Sequence, residues 1–310
     1  MRSRLGRLTA VAVLDELETP WRAHAAHVAH ELVARGQLLE VPAERRAHGE
    51  PRPRPEGVNT LRLAGVEVPR IGLGTNRLTT AREHVRFVRD AVAAGVRHVD
   101  TAHLYTRGES ERAIGEALDG VPEDVLVATK GGYSAGQGRP EVIAAQIEQS
   151  LRSLRIETIG LYYLHRVDPE TPLEESLGAI KAFVDRGAIR HVGVSEVNVE
   201  QIERARRVVD VAAVQNRFNL ADRGHDDVID LCEREGIAFV PYYPLRGDGG
   251  PGLTAAARRH GVSENAVKLA WLLRRSPVVL PIPGTLSVAH LRENLGALGL
   301  DLGDADGIAV

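Results

Sequence analysis

The sequence predicts a (β/α)8 TIM barrel, preceded by an N-terminal β-hairpin and by a helical N-terminal extension. Three observations predict it. Eight short apolar segments alternate with helix-patterned segments from Val58 onward. Such alternation implies a parallel sheet crossed by helices, and eight repeats suffice to close it. Asp100, Lys130 and His165 end successive expected strands, the place where barrels keep their chemistry. A doubly wound sheet would instead need a glycine-rich fingerprint after its first strand. Gly72-Leu73-Gly74 has no third glycine at the right spacing.

Residues 1–57 differ in character from residues 58–310, which hold the barrel. Trp21, Ala25, Val28 and Leu32 recur at helical spacing between Pro20, suited to a first turn, and Gly36, suited to a helix end. Arg45 to Pro55 is rich in Arg, Pro and Glu and reads as a linker or strap. His24, His27 and His30 lie three apart, but no acid or cysteine joins them at ligand spacing, so no metal is expected. The extension is expected to be a lid, a packing strap, a contact for a partner or a second copy, or a tail without a role. The apolar run Leu8–Leu14 is short and followed by acids, which argues against a signal peptide.

The barrel region opens with Thr60–Leu63 and Val66–Val68 flanking Ala64-Gly65, the pattern of a hairpin. Strands are expected at Ile71–Gly74, Val96–Asp100, Val125–Lys130, Ile159–His165, Ile189–Ser195, Ala212–Gln215, Ala238–Tyr242 and Val278–Pro281. Between them run helical stripes. Val85, Val88 and Val92 form one; Ile143, Ile147, Leu151 and Leu154 another; Leu173, Leu177, Ile180 and Val184 a third. Ser110–Leu118 reads as a helix with acids in its first turn, where the helix dipole favours them.

Composition narrows the function. The chain has 310 residues, enough for one large core, and a net charge of −3. No basic field draws it to nucleic acid or anionic lipid, and no apolar run is long enough to span a membrane. The single cysteine, Cys232, rules out an intrachain disulfide, and a cytoplasmic setting is expected.

Four residues at the expected mouth make a chemical set. A carbonyl that accepts hydride at carbon gathers negative charge on oxygen and needs a proton. Tyr105 is a weak acid, with an ordinary pKa of about 10, and a nearby ammonium favours its phenolate. Lys130 would supply that ammonium and lower the Tyr105 pKa. Asp100 would keep Lys130 charged and oriented, and His165 would hydrogen-bond the carbonyl oxygen. No side chain donates hydride, so a cofactor must.

The run Asp100-Thr101-Ala102-His103-Leu104-Tyr105, followed by Gly108-Glu109-Ser110-Glu111, resembles the D-T-A-x-x-Y and G-x-S-E patterns of the aldo-keto reductase family. With Lys130 and His165 the likeness extends from Asn59 to Leu302. It implies the same barrel, the same four catalytic roles and reduction of an aldehyde or ketone with NADPH, NADH being the other option. It further implies that Ser195 and Gln215 bind the nicotinamide carboxamide and that Tyr242 stacks on its ring, with Tyr243 pointing elsewhere if the strand continues. Gly74 and Thr75 match the loop beside the nicotinamide ribose. Pro283, Gly284 and Thr285, then His290, Glu293 and Asn294, match the phosphate and adenine end, and Leu245 and Arg246 lie on the loop between. One departure stands out: Glu196 replaces an asparagine that often follows the serine. Leu104, Tyr133, Arg166 and Phe218 are expected to wall the substrate pocket, Arg166 pairing either with an anionic substrate or with a surface acid. The alternatives are a nicotinamide-bound regulatory or assembly subunit with little turnover, and a reductase of imines or of a specialised biosynthetic ketone.

Overall fold

A computed structural model describes residues 59–119, 122–303 and 308. The expected helix at 20–36, its histidines and the linker at 45–55 lie outside the described residues.

Two strands, β1 (Thr60–Leu63) and β2 (Val66–Pro69), form the expected antiparallel hairpin. Ala64 (φ 49°) and Gly65 (φ 79°) turn the chain between them. Two left-handed residues in succession give the tight turn whose twist matches paired strands. Leu63 and Val68 are buried among Leu126, Leu161, Ala213 and Leu280, residues of the barrel strands. The hairpin therefore shares the barrel's inner core.

Seven parallel strands follow, each paired with its neighbours in sequence order. They are β3 (Leu73–Gly74), β4 (His98–Asp100), β5 (Leu126–Gly131), β6 (Ile159–Leu164), β7 (Ile189–Ser195), β8 (Val211–Gln215) and β9 (Ala238–Phe239). The eighth expected segment closes the ring without becoming a regular strand. Leu280 N donates to Phe239 O (2.9 Å) and Ile282 N to Pro241 O (3.3 Å). On its other side, Gly72 N and Gly74 N donate to Pro281 O (3.0 Å) and Pro283 O (3.2 Å). Pro277, Pro281 and Pro283 have no N–H, so a continuous ladder is impossible there. Pro241 likewise cuts β9 short of the expected Tyr242.

The helices among the described residues are α1 (Arg82–Ala93), α2 (Glu109–Leu118), α3 (Pro140–Leu154), α4 (Leu173–Asp185), α5 (Val199–Arg206), α6 (Asp226–Glu235), α7 (Gly250–His260), α8 (Glu264–Arg275) and α9 (Val288–Gly296). The predicted stripes face inward: Ile143, Ile147 and Leu154 of α3 are fully buried, as are Leu177 and Ile180 of α4. None of these helices is long and apolar enough to cross a membrane. Arg70, itself buried, donates to the carbonyls of Leu273 (2.8 Å), Ser276 (2.5 Å) and Val279 (3.2 Å). It thereby answers two carbonyls at the end of α8, Leu273 and Ser276, and one on the closing segment, Val279.

Side-chain alternation along the strands places the chemistry. In β6, Tyr162 and Leu164 pack outward on the helices, while Leu161 and Tyr163 face the inner core. In β5, Leu126 and Ala128 face in, so Lys130 does too, at the upper end. The same period brings Asp100, Ser195 and Gln215 to the inner mouth. Gly193 is needed for space: a Cβ there would lie 2.3 Å from the Tyr163 ring.

Candidate active site

The carboxyl ends of the strands surround a cleft of about 690 Å³. Asp100, Leu104, Tyr105, Tyr133, His165 and Arg166 line one part of it. Gly74, Thr75, Ser195, Gln215, Tyr242, Leu245, Arg246, Pro283 and Gly284 line the rest. Most of the residues expected from sequence thus meet in one place.

At its floor Lys130, with no exposed surface, forms an ion pair with Asp100. Lys130 Nζ donates to Asp100 Oδ1 at 2.5 Å and to Thr101 O at 2.7 Å. Asp100 Oδ2 accepts from Gln215 Nε2 at 2.8 Å. Burial lowers the Lys130 pKa, but Asp100 and Tyr105 raise it further, so the net shift is upward and the ammonium stays charged. That ammonium lies 5.1 Å from the centroid of the Tyr105 ring.

Tyr105 opens a tight turn in which Thr106 (φ 47°), Arg107 (φ 55°) and Gly108 (φ 80°) are all left-handed. Left-handed geometry is costly for a β-branched residue and must be held by its surroundings. Thr106 Oγ1 donates to Leu78 O at 2.5 Å and accepts from Ser110 N at 3.1 Å, which locks the turn to the start of α2. The lowered Tyr105 pKa expected from sequence is corrected. Burial raises it by more than the neighbouring Lys130 lowers it, so the phenol keeps its proton at neutral pH. The cation therefore limits a rise rather than producing a fall.

His165 meets Tyr105 edge-on at 6.0 Å and Tyr133 at 4.9 Å. Burial, then Lys130 and Arg166, push its pKa down to about 2, which leaves a neutral imidazole. His98, at the base of β4, is pushed down to about 4, chiefly by burial. Both values lie below the ordinary 6.5 of an unfolded histidine. Below pH 6.5 the unfolded chain therefore binds protons that the folded chain refuses. Stability contributed by each histidine is complete above 6.5 and falls by about 1.4 kcal/mol per pH unit. That fall continues to about pH 4 for His98 and about pH 2 for His165. Denaturant midpoints measured between pH 7.5 and 5 should decline accordingly, and a flat profile would contradict this assignment.

Several residues sit otherwise than expected. Phe218 is not in the pocket wall. It is fully buried on the helix side, stacked on Trp271 with centroids 6.0 Å apart, and edge-on to Phe239. The chain leaves β8 after Gln215, and the following loop turns this wholly apolar ring onto α8 instead of the mouth. Tyr243 was expected to face away from Tyr242, but β9 has already ended. Its φ of 51° brings the two rings to 5.1 Å, and both line the cleft. Thr75 is committed to the scaffold: its hydroxyl donates to Asp100 O at 2.8 Å and lies 2.9 Å from Ser110 Oγ. Thr285, His290, Glu293 and Asn294 stand beyond the cleft lining, on the approach to α9 and on its body. His290 and Glu293 are exposed there, whereas Asn294 is buried.

The structure also adds residues. Arg77 and Arg217 line the cleft, although no sequence pattern marks a loop arginine as a mouth residue. Glu196, in the left-handed region at φ 54°, accepts from Arg217 N at 2.6 Å and pairs with Arg166 at 3.2 Å. Asp168 accepts from the N–H groups of Gly136 (3.0 Å) and Gly138 (2.7 Å), fixing the loop that carries Tyr133.

A sequence profile described as the aldo/keto reductase family matches residues 70–252 and 248–307. The chain belongs to the aldo/keto reductase family. Like its relatives it is an oxidoreductase. It is 35% identical over 263 residues to an uncharacterized oxidoreductase of Schizosaccharomyces pombe, covering 78% of this chain and 86% of that one. It is 33% identical over 271 residues to pyridoxine 4-dehydrogenase of Escherichia coli, covering 79% and 95%. Among solved structures it is similar to an aldo-keto reductase from Klebsiella pneumoniae in complex with NADPH. That match has a TM-score of 0.73 and 29% identity over 80% of this chain and 92% of the other. These aldo-keto reductase relatives share the barrel, so the fold expected from sequence holds.

Proposed function

We propose that this aldo-keto reductase uses NADPH to reduce an aldehyde or ketone to an alcohol. The observation that carries the reading is the buried Lys130–Asp100 pair against the Tyr105 ring, with neutral His165 edge-on to that ring. A carbonyl oxygen placed between Tyr105 and His165 meets a phenol that still holds its proton. As negative charge grows on that oxygen, Tyr105 gives up the proton, and the phenolate left behind faces the Lys130 ammonium. Asp100 keeps the ammonium in place. An uncharged His165 can donate a hydrogen bond to orient the carbonyl without competing as an acid.

NADPH, when bound, supplies the hydride. The residues present suit it. Gln215 commits one of its two N–H donors to Asp100 and keeps a carbonyl oxygen to accept from a carboxamide, beside the Ser195 hydroxyl. Tyr242 offers a flat face to the nicotinamide. Gly74 and Gly284 approach one another as a backbone bridge, leaving the cleft rim without side chains there. Arg77 and Arg246 line the cleft on the loops after β3 and β9 and match a polyanion. Thr285, His290, Glu293 and Asn294 would take the distal end, where His290 is the basic group nearest in sequence to Gly284.

The test is a panel of aldehydes and ketones with NADPH and NADH in parallel, followed by nicotinamide absorbance. Pyridoxine with NADP+ in the oxidative direction belongs in it, given the relative of that name. Turnover of several carbonyls, faster with NADPH, is expected. Tight NADPH binding with no turnover across the panel would favour a regulatory subunit instead.

A further inference from the structure

Among the charged residues lining the cleft, arginine dominates. Arg77, Arg166, Arg217 and Arg246 face it, against a single carboxylate, Asp100. Lys130 neutralises that carboxylate at 2.5 Å. The whole chain carries −3, so the mouth is positive on a negative protein. Arg77 and Arg246 lie on the loops after β3 and β9, where the cofactor is proposed to run. Arg166 lies elsewhere. It follows His165 directly, and its guanidinium sits 5.6 Å from the Tyr133 ring and 5.8 Å from the Tyr242 ring. Tyr133 in turn packs on His165 at 4.9 Å. Arg166 is therefore the arginine at the carbonyl pocket itself.

Its fixed partners leave capacity. Arg166 Nη2 donates to the Tyr242 hydroxyl at 3.3 Å, and Nη1 lies 3.2 Å from Glu196 Oε2. A guanidinium has five N–H donors in a planar fork that matches a carboxylate. About 29% of the side chain is exposed, in a lining that also includes Tyr105 and His165. Glu196 is held more firmly. Its backbone N donates to Gln215 O at 3.1 Å, and its Oε1 takes Arg217 N at 2.6 Å. It thus presents one oxygen to Arg166 and cannot follow it. Arg217 has its own acid, Asp222, at 3.7 Å.

We propose that Arg166 is a specificity-determining residue that selects carbonyl substrates bearing a carboxylate, with Glu196 as the positioning residue that orients it and competes for it. The proposal rests on the carbonyl-reducing reading above. A substrate carboxylate takes the open edge of the guanidinium while its carbonyl lies between Tyr105 and His165. Tyr133 and Tyr242 flank the body of the molecule.

The experiment is steady-state kinetics of the full chain with NADPH, comparing benzaldehyde with 2-, 3- and 4-carboxybenzaldehyde. Three isomers are used because they place the carboxylate at different distances from the carbonyl. The readout is the ratio of kcat/KM for the best carboxylated isomer to that for benzaldehyde. The wild-type ratio should exceed one and fall with added salt. Arg166→Gln should lower it at least roughly tenfold, through the KM of the carboxylated aldehyde, as expected for one charge-assisted contact. Glu196→Gln removes the competing charge and should raise the ratio. Should Arg166→Gln fail to fold, Arg166→Lys, which loses the fork, should still lower the ratio. A residue that merely supports the fold would change both substrates alike and leave the ratio still. A ratio unmoved by these variants, or a wild type that prefers benzaldehyde to every isomer, overturns the proposal with carbonyl reduction intact. Absence of NADPH oxidation with every aldehyde refutes the carbonyl-reducing reading and this proposal with it.

Discussion

Tyr105→Phe should lower kcat by roughly a hundred- to ten-thousandfold, the usual worth of a positioned proton donor. NADPH binding, read by fluorescence titration, should be little changed. The variant keeps the ring, so its edge-on packing against His165 at 6.0 Å and its place 5.1 Å from Lys130 survive. What goes is the hydroxyl that we propose protonates the developing alkoxide. His165 cannot replace it, because an imidazole with a pKa pushed down to about 2 carries no excess proton at assay pH. For the same reason the wild-type rate should show no limb from His165 near neutrality. With the Tyr105 pKa above its ordinary value, the proton donor stays loaded until strongly basic pH.

Lys130→Met should damage both stability and turnover. The Lys130 ammonium has no exposed surface and Asp100 is almost as buried. Removing the cation strands a carboxylate whose only remaining side-chain partner among the described residues is the Gln215 amide. An uncompensated buried charge of this kind costs about 3–5 kcal/mol, measurable as a shift in the denaturant midpoint. Turnover should fall as well, because nothing then favours phenolate on Tyr105. The double variant Asp100→Asn/Lys130→Met removes both charges. It should regain much of the lost stability and none of the activity, separating the structural role of the pair from its chemical one. If Lys130→Met is as stable as the wild type, the pair is not the buried anchor described above.

The floor of the candidate site was legible in the sequence because its residues stand at successive strand ends, in the order the aldo-keto reductase resemblance implies. Asp100, Lys130 and His165 each interrupt an apolar run at a strand end, and alternation dictates which face each takes. Tyr105 was legible because Asp100 to Tyr105 resembles the D-T-A-x-x-Y pattern of the aldo-keto reductase family. Loops carry no such period, and there sequence reasoning failed or fell silent. Phe218, three residues past β8, turned to the helix layer, where Trp271 and Phe239 offered an aromatic slot. Tyr243 turned back toward the cleft because its backbone is left-handed, a choice no tyrosine advertises. The irregular eighth segment was written in Pro277, Pro281 and Pro283, which forbid the ladder that their apolar neighbours suggest. The pairing of Arg166 with Glu196 joins two loops some thirty residues apart, and only their convergence at one rim makes it visible. The direction of the Tyr105 pKa turned on the balance of burial against one cation, which only coordinates supply.

The central claim is that a hydride from NADPH and a proton from Tyr105 arrive on the same carbonyl. It is tested most directly with NADPH carrying deuterium in place of both hydrogens at C4 of the nicotinamide, and an aldehyde that the enzyme turns over. The product alcohol should carry one deuterium on the former carbonyl carbon for each NADPH consumed, and Tyr105→Phe should all but abolish its formation. An alcohol without deuterium at that carbon, or undiminished labelled product from Tyr105→Phe, would contradict the account.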